Sequence, residues 1–308
     1  MSFSSETKKE LSEAKLNPPE LGWAEAYGLL LFAKKFTPKE IYFRTESKDA
    51  ANRFADIITS ETGAIVEISK TLSARGNDSI KYRVAVVSEN DCGKVFCECG
   101  HSVTDINLRI NRANIGFEVC MGAFLRGAFL TCGNVSSPET EYRLEFCVRH
   151  KVLSEELCRF IEEAGESVVG RRITPKISVR RGNYIVYIKD SEDISDLLTM
   201  MGAGGASMTI MQVKILRNAE NNRIRAINSQ IANTDKTLSA AAKQVQAIEI
   251  LRSDGRLGEL SDELREAAEM RERYPLVSLK ELCEHFDKPI SKSGLNHRLN
   301  KLIELAGL

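Results

Sequence analysis

The sequence predicts an α+β protein in two parts, with a pseudo-symmetric, duplicated α+β domain at residues 1–205 and an all-helical domain at 219–308. Two observations support this prediction. One order of helices and alternating strands occurs twice in the first part, and only the helical spacing of apolar residues remains in the second. A linker is expected between them at 206–218. The glycine-rich segment 202–207, just before it, is expected to act as a flexible hinge.

Each copy in the first part follows the order helix, strand or hairpin, helix, strand pair, helix, which corresponds to αββαββα. The copies cover about 1–105 and 106–205. Their strands alternate apolar and polar residues, so each sheet should be covered on one face only. Gly28 and Gly127 occupy equivalent points of the two opening helices, 99 positions apart. The predicted elements are 24–35, 40–45, 50–61, 64–70, 80–87 and 89–96 in the first copy, and 117–131, 142–148, 154–164, 173–180, 184–189 and 193–201 in the second.

The segment 277–308 has the features of a helix-turn-helix. Ser278 and Glu281 have the spacing of an S-x-x-E capping box, and Ser291 can cap a second helix. Pro289 ends the first helix because it cannot donate the next backbone hydrogen bond. Two capped helices that are each too short to stand alone are expected to pack together. Longer helices are expected before this segment, at 209–232, 234–251 and 261–273.

The second helix of this segment presents a polar surface without acids. Leu295, Leu299 and Leu302 recur at helical spacing and should face the first helix. Residues 288–303 contain no Asp or Glu, so this surface can approach DNA phosphates without repulsion. The alternative is a solvated polar face. The candidate DNA contacts are Lys292, Ser293, Asn296, His297, Arg298 and Lys301, and Arg298 is expected to face the DNA backbone rather than the groove.

The bulk composition limits the function classes. The chain has 43 Lys and Arg against 43 Asp and Glu, for a net charge of +0. A generic polyanion binder is usually basic overall, so any nucleic-acid surface must be local. No apolar run approaches the ~20 residues that span a bilayer, and residues 1–6 lack the features of a signal peptide. A cytoplasmic, nucleoid-associated protein without a membrane partner is expected.

The eight cysteines do not suggest a metal site. Cys92, Cys97 and Cys99 are the only tight group, spaced C-x4-C-x-C, and His101 is nearby. No second C-x-x-C pair completes a zinc site. The other cysteines are expected to be small buried hydrophobes. No metal and no cofactor are therefore predicted.

The open faces of the strands carry more basic than acidic residues. In the second copy, Arg143, Arg172, Lys176 and Arg180 alternate with apolar neighbours. These four residues are candidates for a secondary DNA-binding surface. A simply hydrated sheet face explains the same pattern equally well.

The opening helices carry a resemblance to a known family. The run Leu125–Gly133, LRGAFLTCG, resembles the LAGLIDADG helix of homing endonucleases, and 26–34 is a weaker version. In that family the two helices pack through their glycines, and each ends in an acid that holds a divalent metal. Ala33 and Cys132 stand at those positions here, and neither supplies a side-chain oxygen for a hard cation. The resemblance therefore implies the fold but not two-metal cleavage.

Together, the two parts resemble the bacterial WhiA family, in which a degenerate LAGLIDADG domain precedes a helix-turn-helix. The runs that carry this resemblance are 124–130, 133–139, 221–237 and 291–299. It implies a DNA-binding transcriptional regulator, without catalysis, that acts in cell division, chromosome segregation or sporulation. It also implies double-stranded DNA, and other transcription regulators or RNA polymerase, as partners. The alternatives are a metal-dependent endonuclease and a partner- or ligand-binding protein tethered to DNA.

Overall fold

The computed structural model describes residues 2–16, 18–72 and 80–308, and it divides into two compact units. Unit 1 is Met1–Arg217 and unit 2 is Asn218–Leu308. Unit 1 contains both sheets, and the part of unit 2 that follows is helical. The predicted α+β fold class, with a helical C-terminal region, is therefore confirmed. None of the described helices has the length and apolar composition that crossing a membrane requires.

Unit 1 repeats one arrangement twice, and the predicted order of elements is confirmed. Each repeat forms a four-stranded antiparallel sheet, with strand orders β1-β2-β4-β3 and β5-β6-β8-β7. A helix at Phe3–Ser12 (α1), which the sequence pattern did not predict, precedes the first repeat. The first repeat comprises α2 (Glu20–Leu31), β1 (Lys35–Phe36), β2 (Ile41–Thr45), α3 (Lys48–Thr62), β3 (Val66–Leu72), β4 (Ile80–Val86) and α4 (Glu89–Glu98), and the second comprises α5 (Glu118–Cys132), β5 (Gly133–Val135), β6 (Leu144–Val148), α6 (Lys151–Ala164), β7 (Lys176–Arg180), β8 (Asn183–Ile188) and α7 (Ser191–Met201).

The two opening helices, α2 and α5, pack against each other in the centre of unit 1. Ten of the twelve residues of α2 and eleven of the fifteen residues of α5 are buried. A Cβ atom added to Gly28 would lie 2.2 Å from the Phe124 carbonyl oxygen, and one added to Gly127 would lie 2.3 Å from that of Glu25. Such distances are shorter than any tolerated contact, so only glycine permits this approach. The glycine-mediated crossing that the family resemblance implied is present.

A buried charge network spans the same crossing. Glu25 is 0% exposed, and its carboxylate accepts from Arg53 at 2.8 and 2.9 Å. It also accepts from Arg126 of α5 at 2.7 Å. Arg126 donates a further hydrogen bond to the Met201 carbonyl at 2.8 Å. Because Glu25 is out of reach of water, its charge depends on these two guanidinium groups.

The helix that follows, α8, is Gly204–Ser253, and it corrects two predictions. The prediction of a flexible hinge at 202–207 was wrong, because α8 begins within this segment. The carboxylate of Glu10 caps the start of the helix by accepting from the backbone N–H groups of Gly205 and Ala206 at 2.6 and 3.0 Å. The break at Asn233 was also wrong. Residues 206–253 contain no Gly or Pro to interrupt a helix. Residues 206–218, predicted as a linker, are therefore helical rather than flexible chain.

In unit 2, the helix-turn-helix packs against other helices around a small hydrophobic core. Beyond α8 it contains α9 (Asp262–Arg273), α10 (Leu279–Cys283) and α11 (Lys292–Ala306). The predicted capping box is confirmed: Glu281 N–H donates to Ser278 Oγ at 3.3 Å, and Ser278 N–H donates to Glu281 Oε2 at 3.1 Å. Ser291 caps α11 with a single hydrogen bond, in which its Oγ accepts from the Gly294 N–H at 3.1 Å. The core consists of apolar residues such as Ile248, Ala267, Leu282 and the three leucines of α11.

Candidate nucleic-acid interface

Helix α11 presents the predicted residues to solvent. Leu295, Leu299 and Leu302 are 0% exposed and fix which side of the helix faces the core. The opposite side is open because the leucines occupy only one stripe. The exposed candidates are Lys292, Ser293, Asn296, His297 and Lys301. The residue types that contact phosphates and base edges therefore lie on one accessible surface.

Arg298 differs from the other candidates because carboxylates of the same unit already bind it. Its guanidinium lies 3.0 Å from a carboxylate oxygen of Glu263 and 3.9 Å from one of Glu266, both on α9, and its side chain is 24% exposed. Lys301 also has a partner, Glu304, at 3.0 Å, but both side chains are more than half exposed. An exposed pair of this kind contributes at most about 1 kcal/mol, so Lys301 can exchange its partner for a phosphate.

The N-terminal end of α11 borders a basic recess that the sequence did not reveal. The recess has a volume of about 250 Å³, and Lys236 of α8, Lys280 of α10 and Lys292 of α11 line it. In the described part of the chain, no carboxylate oxygen lies within 4.0 Å of these three ammonium groups. The three lysines are 44 and 12 positions apart in sequence, so no local pattern could group them. The recess is a place where a phosphate could bind.

Arg271 supports the turn beside this recess. Its side chain is 1% exposed, and Nη1 donates to the carbonyl oxygens of Tyr274 and Val277 at 3.2 and 2.7 Å. Burial lowers the pKa of Arg271. The guanidinium therefore holds the backbone immediately before Ser278, and in this way it positions the start of α10 and Lys280.

The secondary candidates on the second sheet are mostly paired. Arg143 and Arg180 both contact Glu145, at 2.8 and 3.3 Å, and Glu145 is 9% exposed. Lys176 lies on the same surface, since both it and Glu145 are register partners of Tyr187. The guanidinium of Arg143 also lies 4.6 Å from the centre of the Tyr187 ring. The structure thus brings three of the four candidates together, but around a carboxylate.

Arg172 does not belong to this group, so its predicted place on the strand face was wrong. Strand β7 begins only at Lys176, because Pro175 cannot donate to a sheet. Arg172 instead pairs with Glu162 of α6 at 2.8 Å. That carboxylate raises the pKa of the Arg172 guanidinium. Arg172 therefore forms a surface ion pair with Glu162 on another part of unit 1.

The ends of α2 and α5 do not have the ligands of a metal centre. Ala33 and Cys132 lie there, and burial raises the pKa of the Cys132 thiol to about 12. A protonated thiol is a poor ligand for a hard cation, which requires oxygen. Within the ranges that the structure describes, no three His, Cys, Asp or Glu side chains converge as metal ligands would. These residues do not fit the divalent metal of LAGLIDADG enzymes.

Comparison with known proteins agrees with both units. The family model "WhiA C-terminal HTH domain" matches residues 223–306, and "WhiA LAGLIDADG-like domain" matches 121–220. A protein from Alkaliphilus metalliredigens, named "Probable cell division protein WhiA", is 33% identical over 316 residues, which cover 99% of this chain and 98% of the relative. The chain belongs to the WhiA family. A relative of the same name from Ruminiclostridium cellulolyticum is 33% identical over 99% of this chain and 97% of its own length.

A solved structure supports the fold of this family member. Full-length DUF199/WhiA from Thermotoga maritima has a TM-score of 0.56 and 23% identity. The match covers 100% of this chain and 98% of that one. At this level of identity the likeness concerns the fold alone. The family models and the curated relatives confirm the family resemblance stated from the sequence.

Proposed function

We propose that this family member is a sequence-specific DNA-binding regulator of transcription that reads double-stranded DNA with α11 and does not cleave it. The observation that carries the proposal is the exposed, acid-free N-terminal surface of α11. Its Lys292, Ser293, Asn296 and His297 are all accessible. A helix of this kind fits the major groove, where amide and cationic side chains distinguish base pairs.

Phosphate contacts supply the affinity in this proposal, and base contacts supply the specificity. Lys236, Lys280 and Lys292 surround one recess at the start of α11, and they suit a backbone phosphate. Asn296 and His297 lie one turn further along and suit base edges. Lys301 suits a second phosphate, while Arg298 remains attached to Glu263 and Glu266 and orients α11.

Unit 1 retains the nuclease scaffold in this proposal but not the reaction. Two-metal cleavage needs carboxylates that hold the ions beside the scissile phosphate. Ala33 and the half-buried Cys132 cannot replace them, because neither offers a side-chain oxygen. The curated relatives are named as probable cell division proteins, which supports a role in cell division, and we extend the proposal to chromosome segregation or sporulation. Other transcription regulators or RNA polymerase are the partners we propose for unit 1, in a nucleoid-associated cytoplasmic protein.

The proposal is tested with the full-length chain and genomic DNA fragments selected by crosslinking. Lys292→Glu should weaken binding to the selected fragment at least tenfold in a fluorescence anisotropy titration, because it puts a carboxylate where a phosphate is expected. Asn296→Ala should instead reduce the preference for the selected fragment over a scrambled one. Lys39→Glu, an exposed lysine of unit 1, is the matched control for the charge change.

Two results would contradict the proposal. Unchanged affinity and unchanged preference in both α11 variants would remove this helix as the reader of DNA. Cleavage of supercoiled plasmid by the pure protein with magnesium or manganese would favour the endonuclease alternative. In that case, carboxylates elsewhere in the chain would have to hold the metal, because residues 33 and 132 are Ala and Cys.

A further inference from the structure

A large cavity lies between the two repeats of unit 1, where α2 and α5 end. Its volume is about 720 Å³, within the range of small-molecule sites. Ala33 and Cys132, the residues that replace the metal-binding acids, are both on its wall. The DNA-binding proposal for unit 2 makes no use of this cavity.

Four Lys and Arg side chains from both repeats line the cavity, and Lys35 pairs with Glu40 at 3.8 Å, which leaves three others. Lys34 and Arg44 come from the first repeat and Arg149 from the second, and all three are exposed. Nη1 of Arg149 donates to the Lys34 carbonyl at 2.9 Å, which holds the two repeats' cations beside each other. No carboxylate of the described residues lies within 4.0 Å of these three side chains. The cations are therefore free to bind an anion.

Cations outnumber carboxylates among the residues that line the cavity. Burial lowers the pKa of Lys34, and the nearby charges of Arg149 and Arg44 lower it further. Asp105 is the one carboxylate among the lining residues, and it accepts from the Ser102 N–H at 2.8 Å within its own loop. A bound anion would relieve the mutual repulsion of the three cations.

The rest of the wall is apolar, and part of it is uncovered. Phe43, Val148 and Leu153 form a buried floor. On the rim, Val103 is 77% exposed and Ile106 is 95% exposed, and both belong to the loop between α4 and the Arg112–Asn114 turn. A DNA backbone phosphate would use the cations but would leave this apolar surface uncovered. A ligand with an apolar body would cover both.

We propose that this cavity binds a small organic anion, a phosphate or carboxylate carried on an apolar or aromatic body. Arg44 and Arg149 would bind the anionic group, since guanidinium forks match phosphate and carboxylate geometry. The body would lie against the floor and under Ile106. Unit 1 would then be a ligand-binding domain built at the former metal centre.

The test uses the full-length protein and two fluorescent probes of similar shape. One is 1-anilinonaphthalene-8-sulfonate, which carries an anion, and the other is neutral N-phenyl-1-naphthylamine. The anionic probe should bind with one-to-one stoichiometry and at least tenfold more tightly than the neutral probe. The double variant Arg44→Ala/Arg149→Ala should abolish that difference. The double variant Lys39→Ala/Arg159→Ala, which removes two exposed cations outside the cavity, should preserve it.

A second variant and a competition complete the test. Ile106→Asp should weaken the anionic probe several-fold without unfolding the chain, because the side chain is on the surface. Displacement by 1-naphthyl phosphate and by 1-naphthoate then distinguishes phosphate from carboxylate. Equal binding of both probes, or an unchanged difference in Arg44→Ala/Arg149→Ala, would overturn the proposal. So would a loss of DNA affinity in this variant while probe binding is unchanged, which would make the cavity mouth a DNA surface.

Discussion

The outer surface of the second sheet and the exposed surface of α11 are both rich in cations, yet they hold them differently. On the sheet, Arg143 and Arg180 share the carboxylate of Glu145. On α11, Lys292 lies beside two other lysines and has no carboxylate near it in the described residues. A cation that a buried carboxylate such as Glu145 already holds must lose that partner before it can bind a phosphate, which weakens the binding. The number of basic residues in a segment therefore says less about DNA binding than their partners do.

The largest loss of folding stability is expected when a fully buried ion pair is broken. Glu25→Ala leaves Arg126 in the core without its carboxylate, and such a loss costs about 3–5 kcal/mol. Urea unfolding at neutral pH measures it. Glu40→Ala is the control, because Glu40 pairs with Lys35 and Arg83 at the surface and should cost less than about 1 kcal/mol. Equal losses in the two variants would show that burial does not separate the two kinds of ion pair.

The lysines around the recess of unit 2 (Lys236, Lys280 and Lys292) should dominate the salt dependence of DNA binding. Lys236→Ala/Lys292→Ala should reduce the slope of log affinity against log salt by about 2, since each lost phosphate contact removes ~0.9. Arg298→Ala should change the slope by less than half a unit, because Glu263 and Glu266 already neutralise it. Anisotropy titrations at four salt concentrations give both values. If the slope changes more in Arg298→Ala than in the double lysine variant, then Arg298 contacts phosphate and the two lysines do not.

If the carboxylate that pairs with Arg143 and Arg180 is removed, the sheet should present unpaired cations, as α11 does. Glu145→Gln removes the shared carboxylate, so Arg143 and Arg180 become available for phosphates. Affinity for non-specific duplex DNA at low salt should rise a few-fold, with a slope steeper by about 1. Glu67→Gln on β3 makes the same change in net charge without an ion pair among the described residues, and it should have little effect. An equal rise in both variants would indicate net charge rather than arginine release.

The smallest effect concerns the buried His101 of unit 1. Burial lowers its pKa below 6.5, and Asp105 only partly opposes this. As pH falls below about 6.5, the unfolded chain takes up a proton before the folded one does, so stability decreases, by at most about 1.4 kcal/mol per pH unit. Urea unfolding from pH 8 to pH 5 should show this decrease. In His101→Gln the decrease should be smaller. An identical pH dependence in both proteins would show that another group causes it.

Local patterns were enough to predict much of this molecule. The two strand-and-helix repeats, the capping box of Ser278 and Glu281, and the leucine stripe of α11 depend on spacing within a few residues, and each is present. Some errors were local, since 206–253 lacks Gly and Pro and Pro175 delays β7, but others came from distant partners. The cap of α8 by Glu10 and the pairing of Arg180 with Glu145 depend on side chains far away in the sequence. Periodicity carries no information about such partners.

The amino-acid sequence alone determined the order of elements, the two crossing glycines and the absence of acids at residues 33, 132 and 288–303, because these follow from residue type and spacing. Only the tertiary structure decided which cations are free. It grouped Lys236, Lys280 and Lys292 around one recess, and Lys34, Arg44 and Arg149 around one cavity. The physical reason is that charges interact through space over a few ångströms, whatever their separation along the chain.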